Sequence, residues 1–296
     1  MEINGAKIIN TFAEAFPIWI SRVILTAVNK KWAYEAAVEA TGFASSKIGC
    51  PCEAGIEGFL SRKQTPDRRV GISILICSER KNIKKNVAER VSQCVLPTPT
   101  VSAFDGLPEA ESRFSIRMHY FGDSYEERCN IGGRKCWRIP IMEGDYVGEE
   151  RFGIVKGIAG GNFLVMGMNQ RLALSGAEAA VTAIKGIKGV ITSFAGGIVA
   201  SGSKVSCKNY FFPMPASTNH LYCPTLKAKI SESLVPDGVN SIYEIVINGV
   251  NEMTMKNAMK TGIKAATKKG GIMYIGASNF EGKLGPYKIH LYDLFK

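Results

Sequence analysis

Two stretches decide the fold: RVILTAVNKKWAYEAAVEATGF, residues 22–43, and NFLVMGMNQRLALSGAEAAVTAI, residues 162–184. Each opens with an apolar run that reads as a strand and passes through an asparagine, Asn29 or Asn169. Each then continues into a helix carrying Glu-Ala-Ala-Val, at 35–38 and at 178–181. Asparagine suits the N-cap, because its side-chain carbonyl accepts from an unpaired N–H of the first turn. The second copy has three more residues between the asparagine and the shared tetrapeptide.

A second pair follows the first. GISILICSERKNIKKNVAERVSQCV (71–95) and SIYEIVINGVNEMTMKNAMKTGIKAAT (241–267) again read strand, turn, helix. One helix aligns Ile83, Val87, Val91, Cys94 and Val95 in a single apolar stripe. The other aligns Met255, Ala258, Met259, Gly262, Ile263 and Ala266. Each half therefore reads βαβ–βαβ, an α+β pattern of two ferredoxin-like lobes related by internal duplication. The expected lobes are residues 1–146 and 147–296. Gln64–Arg69, Pro97–Leu107 and Ser201–Asn240 read as inserts, and long inserts in a compact domain are often functional.

Glu244 is the candidate for chemistry. It lies in Ser-Ile-Tyr-Glu-Ile-Val-Ile, a strand by its β-branched and aromatic content. Side chains alternate faces, so Glu244 shares one with Ile242 and Val246 while Tyr243, Ile245 and Ile247 take the other. Both faces are apolar, which predicts a strand covered on both sides. A carboxyl group among apolar neighbours resists ionisation and makes a candidate general acid near neutral pH. Aligning Lys256-Asn257 on Lys85-Asn86 places Ser73 opposite Glu244, so the repeated architecture does not itself require the acid.

Glycine-rich turns lie at Gly157–Gly161, at Gly196-Gly197 and at Asn279–Gly285. They read either as tight turns or as places where backbone approaches a ligand. None fits a dinucleotide fingerprint or a P-loop. Ser201–Lys204 and Ser217-Thr218-Asn219 offer hydroxyls, an amide and an ammonium that could bind a polar ligand or cap elements.

Composition narrows the classes. The chain is 46% hydrophobic and 21% charged, the profile of a globular protein. No apolar run approaches the roughly 18 residues that span a bilayer. The N-terminus lacks a basic-then-apolar leader, so no membrane association and a cytoplasmic location are expected. Eight cysteines are too sparse for a disulfide scaffold, and neither Cys50-Pro-Cys52 nor the scattered His119, His220 and His290 makes a metal-site spacing. The formal charge of +11 would suit a polyanion, but the lysines and arginines are spread along the chain. The aromatic RNP pattern is missing, so no nucleic acid partner is expected.

The segments TFAEAF (11–16), EATGF (39–43), CPCEAGIEG (50–58), TPD (65–67), GIAGGNF (157–163), GGIVASGSK (196–204), ASTN (216–219), YCPT (222–225), YEIVING (243–249) and GKLG (282–285) resemble the archaeal formylmethanofuran:tetrahydromethanopterin formyltransferases. The likeness covers essentially the whole chain. It implies two ferredoxin-like lobes, and a homo-oligomer, either dimer or tetramer. It also implies transfer of a formyl group between methanofuran and N5 of tetrahydromethanopterin, both acting as substrates, with no metal or prosthetic group. It makes Glu244 the acid/base. The candidate substrate-binding residues are Gly160, Gly161, Asn162, Gly196, Gly197, Ser201, Lys204, Ser217, Thr218 and Asn219. Several loops depart from the family pattern. CPCEAG stands for CPAEAG, and Ala-Ser-Asn-Phe-Glu-Gly-Lys-Leu-Gly (277–285) for AGN-x-GGKLG. A subunit of a formyltransferase/hydrolase complex, or a paralogue of reduced activity, is the alternative.

Overall fold

The computed structural model describes residues 1–296 apart from Ser203, Ser206, Lys208 and Asn209. Its main elements are β1 (Phe12–Ala27), α1 (Lys30–Thr41), β2 (Glu53–Leu60), β3 (Val70–Ser78), α2 (Ile83–Glu89), β4 (Ser102–Asp105), β5 (Arg151–Gly167), α3 (Gln170–Ile184), β6 (Ser241–Gly249), α4 (Glu252–Thr267) and β7 (Ile272–Gly276). The fold is α+β. The chain divides into two compact units, one made of Ile18–Gly157 and the other of Met1–Pro17 with Ile158–Lys296. Strands β1 and β5 each begin in one unit and end in the other.

In the unit Ile18–Gly157, β1 pairs antiparallel with β3, from Trp19↔Ser78 to Ala27↔Val70. Its other edge pairs with β4, and β2 lies on the far side of β3. Ala33, Ala36, Ala37 and Ala40 of α1 are fully buried, and their small side chains let the helix lie close to the sheet. The stripe read on the next helix is present: Ile83, Val87, Val91 and Val95 are buried in the same core, and Cys94 packs on its edge. The helix changes to a π turn at Arg90–Val95. The Pro97–Leu107 insert holds a strand, β4. Every residue of Ser102–Asp105 is buried, so its backbone groups must be paired, and the open edge of β1 pairs them. An antiparallel meander, Glu127–Ile131, Arg134–Ile141 and Gly144–Glu149, extends beyond the elements read from sequence.

In the other unit, the end of β5 pairs antiparallel with β6 on one side and β7 on the other. Ala6–Ile8 adds a parallel strand beside β7, and Tyr287–His290 pairs with Phe12–Ala15. Helices α3 and α4 cover one face, burying Ala173, Ala177, Ala180, Met255, Ala258 and Ile263 against Phe163, Val165, Tyr243, Ile245 and Ile247. The opposite face carries Leu164, Met166 and Ile242, covered by Tyr222, Val235 and Val239 of the long insert 201–240. Strand β6 is therefore enclosed on both sides, as its two apolar faces demand.

The asparagine caps form as expected. Asn29 accepts from the Trp32 N–H at 3.1 Å and Asn169 from the Leu172 N–H at 3.0 Å; Asn251 repeats the device on α4. Each satisfies a donor that the helix itself cannot pair. Among the described residues, no helix is long and apolar enough to cross a membrane.

Candidate active site

Glu244 sits in the middle of β6 and is 7% exposed. Its backbone is held from both edges. Leu164 of β5 is its partner on one side, and on the other Glu244 exchanges hydrogen bonds of 2.8 and 3.0 Å with Val199. Among the described residues, the carboxyl group has one hydrogen-bond donor: Ser278 Oγ donates to Oε1 at 3.2 Å. Burial pushes the carboxyl up to about 7, against the lowering pull of that hydroxyl. Tyr222 packs on the same face of the sheet, against Leu164, Val235 and Val239. Its phenol donates to the carbonyl of Ala277 at 3.4 Å, and burial, then the nearby Glu244 charge, push it above its ordinary value. The result is a buried carboxyl group among apolar neighbours, pushed up to about 7 and met by one hydroxyl.

Asn162 and Ser278 hold this arrangement at the strand ends. Beyond the last β5–β7 pair, Leu164↔Gly276, the Asn162 side chain takes over the ladder. Its Oδ1 accepts from the Ser278 N–H at 2.8 Å, and its Nδ2 donates to the Ser278 carbonyl at 3.0 Å and the Gly160 carbonyl at 3.3 Å. The segment after Ser278 is held by Glu14, a carboxylate 2% exposed on β1. It accepts from the backbone N–H groups of Phe280 at 2.8 Å, Gly285 at 2.9 Å and Leu284. Burial alone would raise Glu14, but these backbone donors outweigh it and hold the carboxyl below its ordinary range. Glu14 and Glu244 are thus both lone acids in apolar strands, separated in behaviour by how many N–H groups meet them.

The other residues singled out from sequence fall in two places. Gly160, Gly161 and Asn162 lie on β5 beside Ser278. Gly160 has φ +89°, and a Cβ on Gly161 would lie 2.4 Å from Met255 Sδ of α4. Gly196 and Gly197 both have positive φ and open the turn that leads to Val199, so that turn runs alongside Glu244. Past it, Lys204–Val205 pairs with Ala216–Ser217 in a small hairpin. Thr218 donates to the Ser201 carbonyl at 3.3 Å, Lys204 Nζ lies 3.1 Å from His220 Nδ1, and Asn219 packs at the backbone of Gly202. Ser203, within this stretch, lies outside the described residues.

Sequence reasoning missed Ser278, Tyr222 and Glu14. Glu14 carried the same signal as Glu244, a single acid in an apolar alternating strand, and could have been found by it. Tyr222 stood within the YCPT segment and Ser278 within the altered 277–285 stretch, but no local pattern tied either to Glu244, which both reach only through tertiary packing. Among the described residues, no group of three or more His, Cys, Asp or Glu is placed to hold a metal ion.

The comparisons with known proteins agree over the full chain. A family model described as formylmethanofuran-tetrahydromethanopterin formyltransferase matches residues 1–141, and one described as the proximal lobe of that enzyme matches residues 144–294. The formylmethanofuran–tetrahydromethanopterin formyltransferases of Methanosarcina acetivorans and Methanopyrus kandleri are 51% and 50% identical, over 100% of this chain and of theirs. The solved formyltransferase of Methanosarcina barkeri superposes with a TM-score of 0.96 at 50% identity, covering 100% of both chains. A chain of the formyltransferase/hydrolase complex from Methylorubrum extorquens, solved with methylofuran, superposes with a TM-score of 0.94 at 39% identity, over 100% of this chain and 99% of that one. The chain belongs to the formylmethanofuran–tetrahydromethanopterin formyltransferase family.

Proposed function

We propose that this protein transfers a formyl group between formylmethanofuran and N5 of tetrahydromethanopterin, with Glu244 as acid and base. The observation that carries the reading is the buried Glu244 carboxyl, met by the Ser278 hydroxyl and pushed up to about 7 by burial, in a chain of this family. The N5 amine attacks the formamide carbon, forming a C–N bond and a tetrahedral intermediate. Glu244, ionised, takes the N5 proton. It then gives that proton to the methanofuran nitrogen as the old C–N bond breaks, and the carboxylate is restored. A group titrating near the working pH serves both transfers without a large energetic step in either direction. Backbone at Gly196, left open by its positive φ and missing side chain, is suited to approach the developing oxyanion, whereas the Gly160 and Gly197 N–H groups already donate to Asn248 Oδ1 and the Phe194 carbonyl.

Ser201, Lys204, Ser217, Thr218 and Asn219 then supply polar contacts to the substrates from the hairpin beside the 196–199 turn. The chain is read as two ferredoxin-like lobes related by duplication, residues 1–146 and 147–296, supported by the repeated asparagine caps on α1, α3 and α4. A cytoplasmic homo-oligomer, dimer or tetramer, without nucleic acid or membrane partners, completes the reading. The likeness to a chain of a formyltransferase/hydrolase complex supports the second reading, in which hydrolase subunits bind this chain.

The test is direct. Purified protein is mixed with formylmethanofuran and tetrahydromethanopterin, and formation of the N5-formyl product is followed. Transfer above background is expected, with Glu244→Gln slower by about 10²-fold or more, in line with loss of a general acid/base. Absence of transfer, under conditions where an authentic enzyme works, would sink the reading.

A further inference from the structure

Ser278 occupies a place whose counterpart in the other unit holds no side chain. In the unit Ile18–Gly157, Ile24 of β1 pairs with Ser73 on one side and Phe104 on the other. In the other unit, Leu164 of β5 pairs with Glu244 on one side and Gly276 on the other. Two residues back along the central strand stand Arg22 and Asn162. Two residues past the flanking partner stand Gly106 and Ser278. Gly106 donates its N–H to the Arg22 carbonyl at 2.8 Å, and Ser278 donates its own to Asn162 Oδ1 at 2.8 Å.

The chemistry at these matching places is opposite. Arg22 grips the buried Glu57 with two hydrogen bonds of 2.7 Å, and Ser73 adds a third of 2.5 Å. The acid there is neutralised by a guanidinium. A Cβ on Gly106 would lie 2.4 Å from Arg22 Cγ, so the arginine excludes a side chain at that position. The shorter Asn162 leaves the space open. Glu244 takes the place of Ser73, and Ser278 brings a hydroxyl where glycine sufficed for the backbone. The hydroxyl is therefore not a requirement of the fold, yet it is 8% exposed and aimed at the carboxyl group.

We propose that Ser278, which stands where the family pattern AGN-x-GGKLG has glycine, is a positioning residue that this chain adds for formyl transfer, its hydroxyl fixing Oε1 of Glu244 so that Oε2 is the oxygen that carries and delivers the proton. A carboxyl group has two equivalent oxygens, and only one can face the reacting nitrogens. Ser278 has one hydrogen to donate and directs it at Oε1. The acid form must then hold its own proton on Oε2, and the ionised form keeps its lone pair there for the incoming proton. Asn162 fixes both backbone groups of Ser278, and Glu14 fixes the segment after it, so the hydroxyl is held from both sides. Among the described residues, the titratable group that faces Glu244 from the packed elements is Tyr222. The positions beside Glu244 on its own and paired strands are Leu164, Val199, Ile242 and Val246, all uncharged.

This inference rests on the formyl-transfer reading, and the experiment separates the two. Ser278→Ala and Ser278→Gly remove the hydroxyl, and glycine at the matching Gly106 shows that such a backbone accepts it. Ser278→Thr retains the hydroxyl. In both removal variants kcat for formyl transfer should fall about tenfold at neutral pH, the effect of one hydrogen bond to a charged group, with KM little changed. The rising limb of the pH–rate profile should move to higher pH, and Ser278→Thr should recover most of kcat and the original limb. The Glu244 carboxyl is also titrated directly by 13C NMR, its resonance assigned by loss in Glu244→Gln. This titration should move upward in the removal variants. Unchanged kcat and titration in Ser278→Ala and Ser278→Gly would overturn the proposal. So would a threonine variant as impaired as alanine while equally stable. If the wild type transfers no formyl group, the functional reading fails, and the NMR titration still decides whether Ser278 sets the proton on Glu244.

Discussion

Glu244 and Ser73 hold the same place in their strands: Glu244 is paired with Leu164, Ser73 with Ile24, and each partner lies five residues before a helix-capping asparagine. One backbone plan thus carries a buried acid in one unit and a small hydroxyl in the other. The difference is chemical, because the register, the central strand and the cap are alike. It also says where the cost of the acid falls, since burying a carboxyl without a cationic partner opposes folding.

That cost has a pH dependence. The carboxyl of Glu244 is raised to about 7 in the folded protein by burial. Folding therefore favours its protonated form. The associated stability is fully present below the ordinary glutamate value and is lost as pH rises through about 7. Glu244→Gln removes the ionisation and keeps the shape. The variant should be more stable than wild type at pH 8.5 by up to about 3 kcal/mol, with the gap closing near pH 4. Urea unfolding at the two pH values measures it, and a gap independent of pH would count against a buried acid that has no cationic partner among the described residues.

Glu14 should behave in the opposite sense. Its carboxyl is held low by backbone donors, so its contribution is present above the ordinary glutamate value and is lost as pH falls through the lowered one. Glu14→Gln turns one oxygen into a donor facing backbone N–H groups. A loss of about 2 kcal/mol at pH 7 is expected, shrinking in acid, with faster proteolysis within 279–285. Equal stability at pH 7 would show that the amide can satisfy the same donors.

The Arg22–Glu57 pair offers a third test. Arg22→Met removes the guanidinium from a glutamate 6% exposed, and a loss of about 3 kcal/mol is expected. The double variant Arg22→Met/Glu57→Gln should recover most of it, because the charge is removed together with its partner. Chemical denaturation of both variants gives the comparison, and a double variant no better than the single would mean that packing of the arginine stem dominates.

Gly161 separates packing from binding. Its missing Cβ leaves room for Met255, which is fully buried on α4. Gly161→Ala should destabilise by about 2 kcal/mol through overpacking. Adding Met255→Ala should cost less than the sum of the two single changes, since the new methyl occupies part of the vacated volume. A Gly161→Ala protein of normal stability but raised KM would instead place a substrate at this backbone.

The sequence made the strands, caps and helices legible where periodicity is strong: Asn29 and Asn169 cap as read, and Tyr243, Ile245 and Ile247 pack under the helices while Ile242 lies on the other face with Glu244. The burial of Glu244 was legible because a carboxyl between two apolar faces has few places to go. The partners of that acid were not. Ser278 is 34 residues away and reaches it through the β7–β5–β6 pairing, which no local pattern encodes. Strand β4 hid inside an insert that opens on Pro-Thr-Pro-Thr, because what makes it a strand is the open edge of β1. The clamp of Glu14 on Phe280 to Gly285 depends on bringing together the two ends of the chain.

That clamp sets an order of events during synthesis. The unit Ile18–Gly157 is continuous in the chain and holds its whole core once Gly157 has left the ribosome. Glu14 emerges before it, but its donors follow 266 to 271 residues later. At ribosomal rates of about 5–20 residues per second, the first strand waits roughly 15 to 55 s with half its length already folded into a neighbour and half without a sheet to join. The N-terminal segment thus settles late, and the site around Glu244 is completed only after Gly285 has emerged.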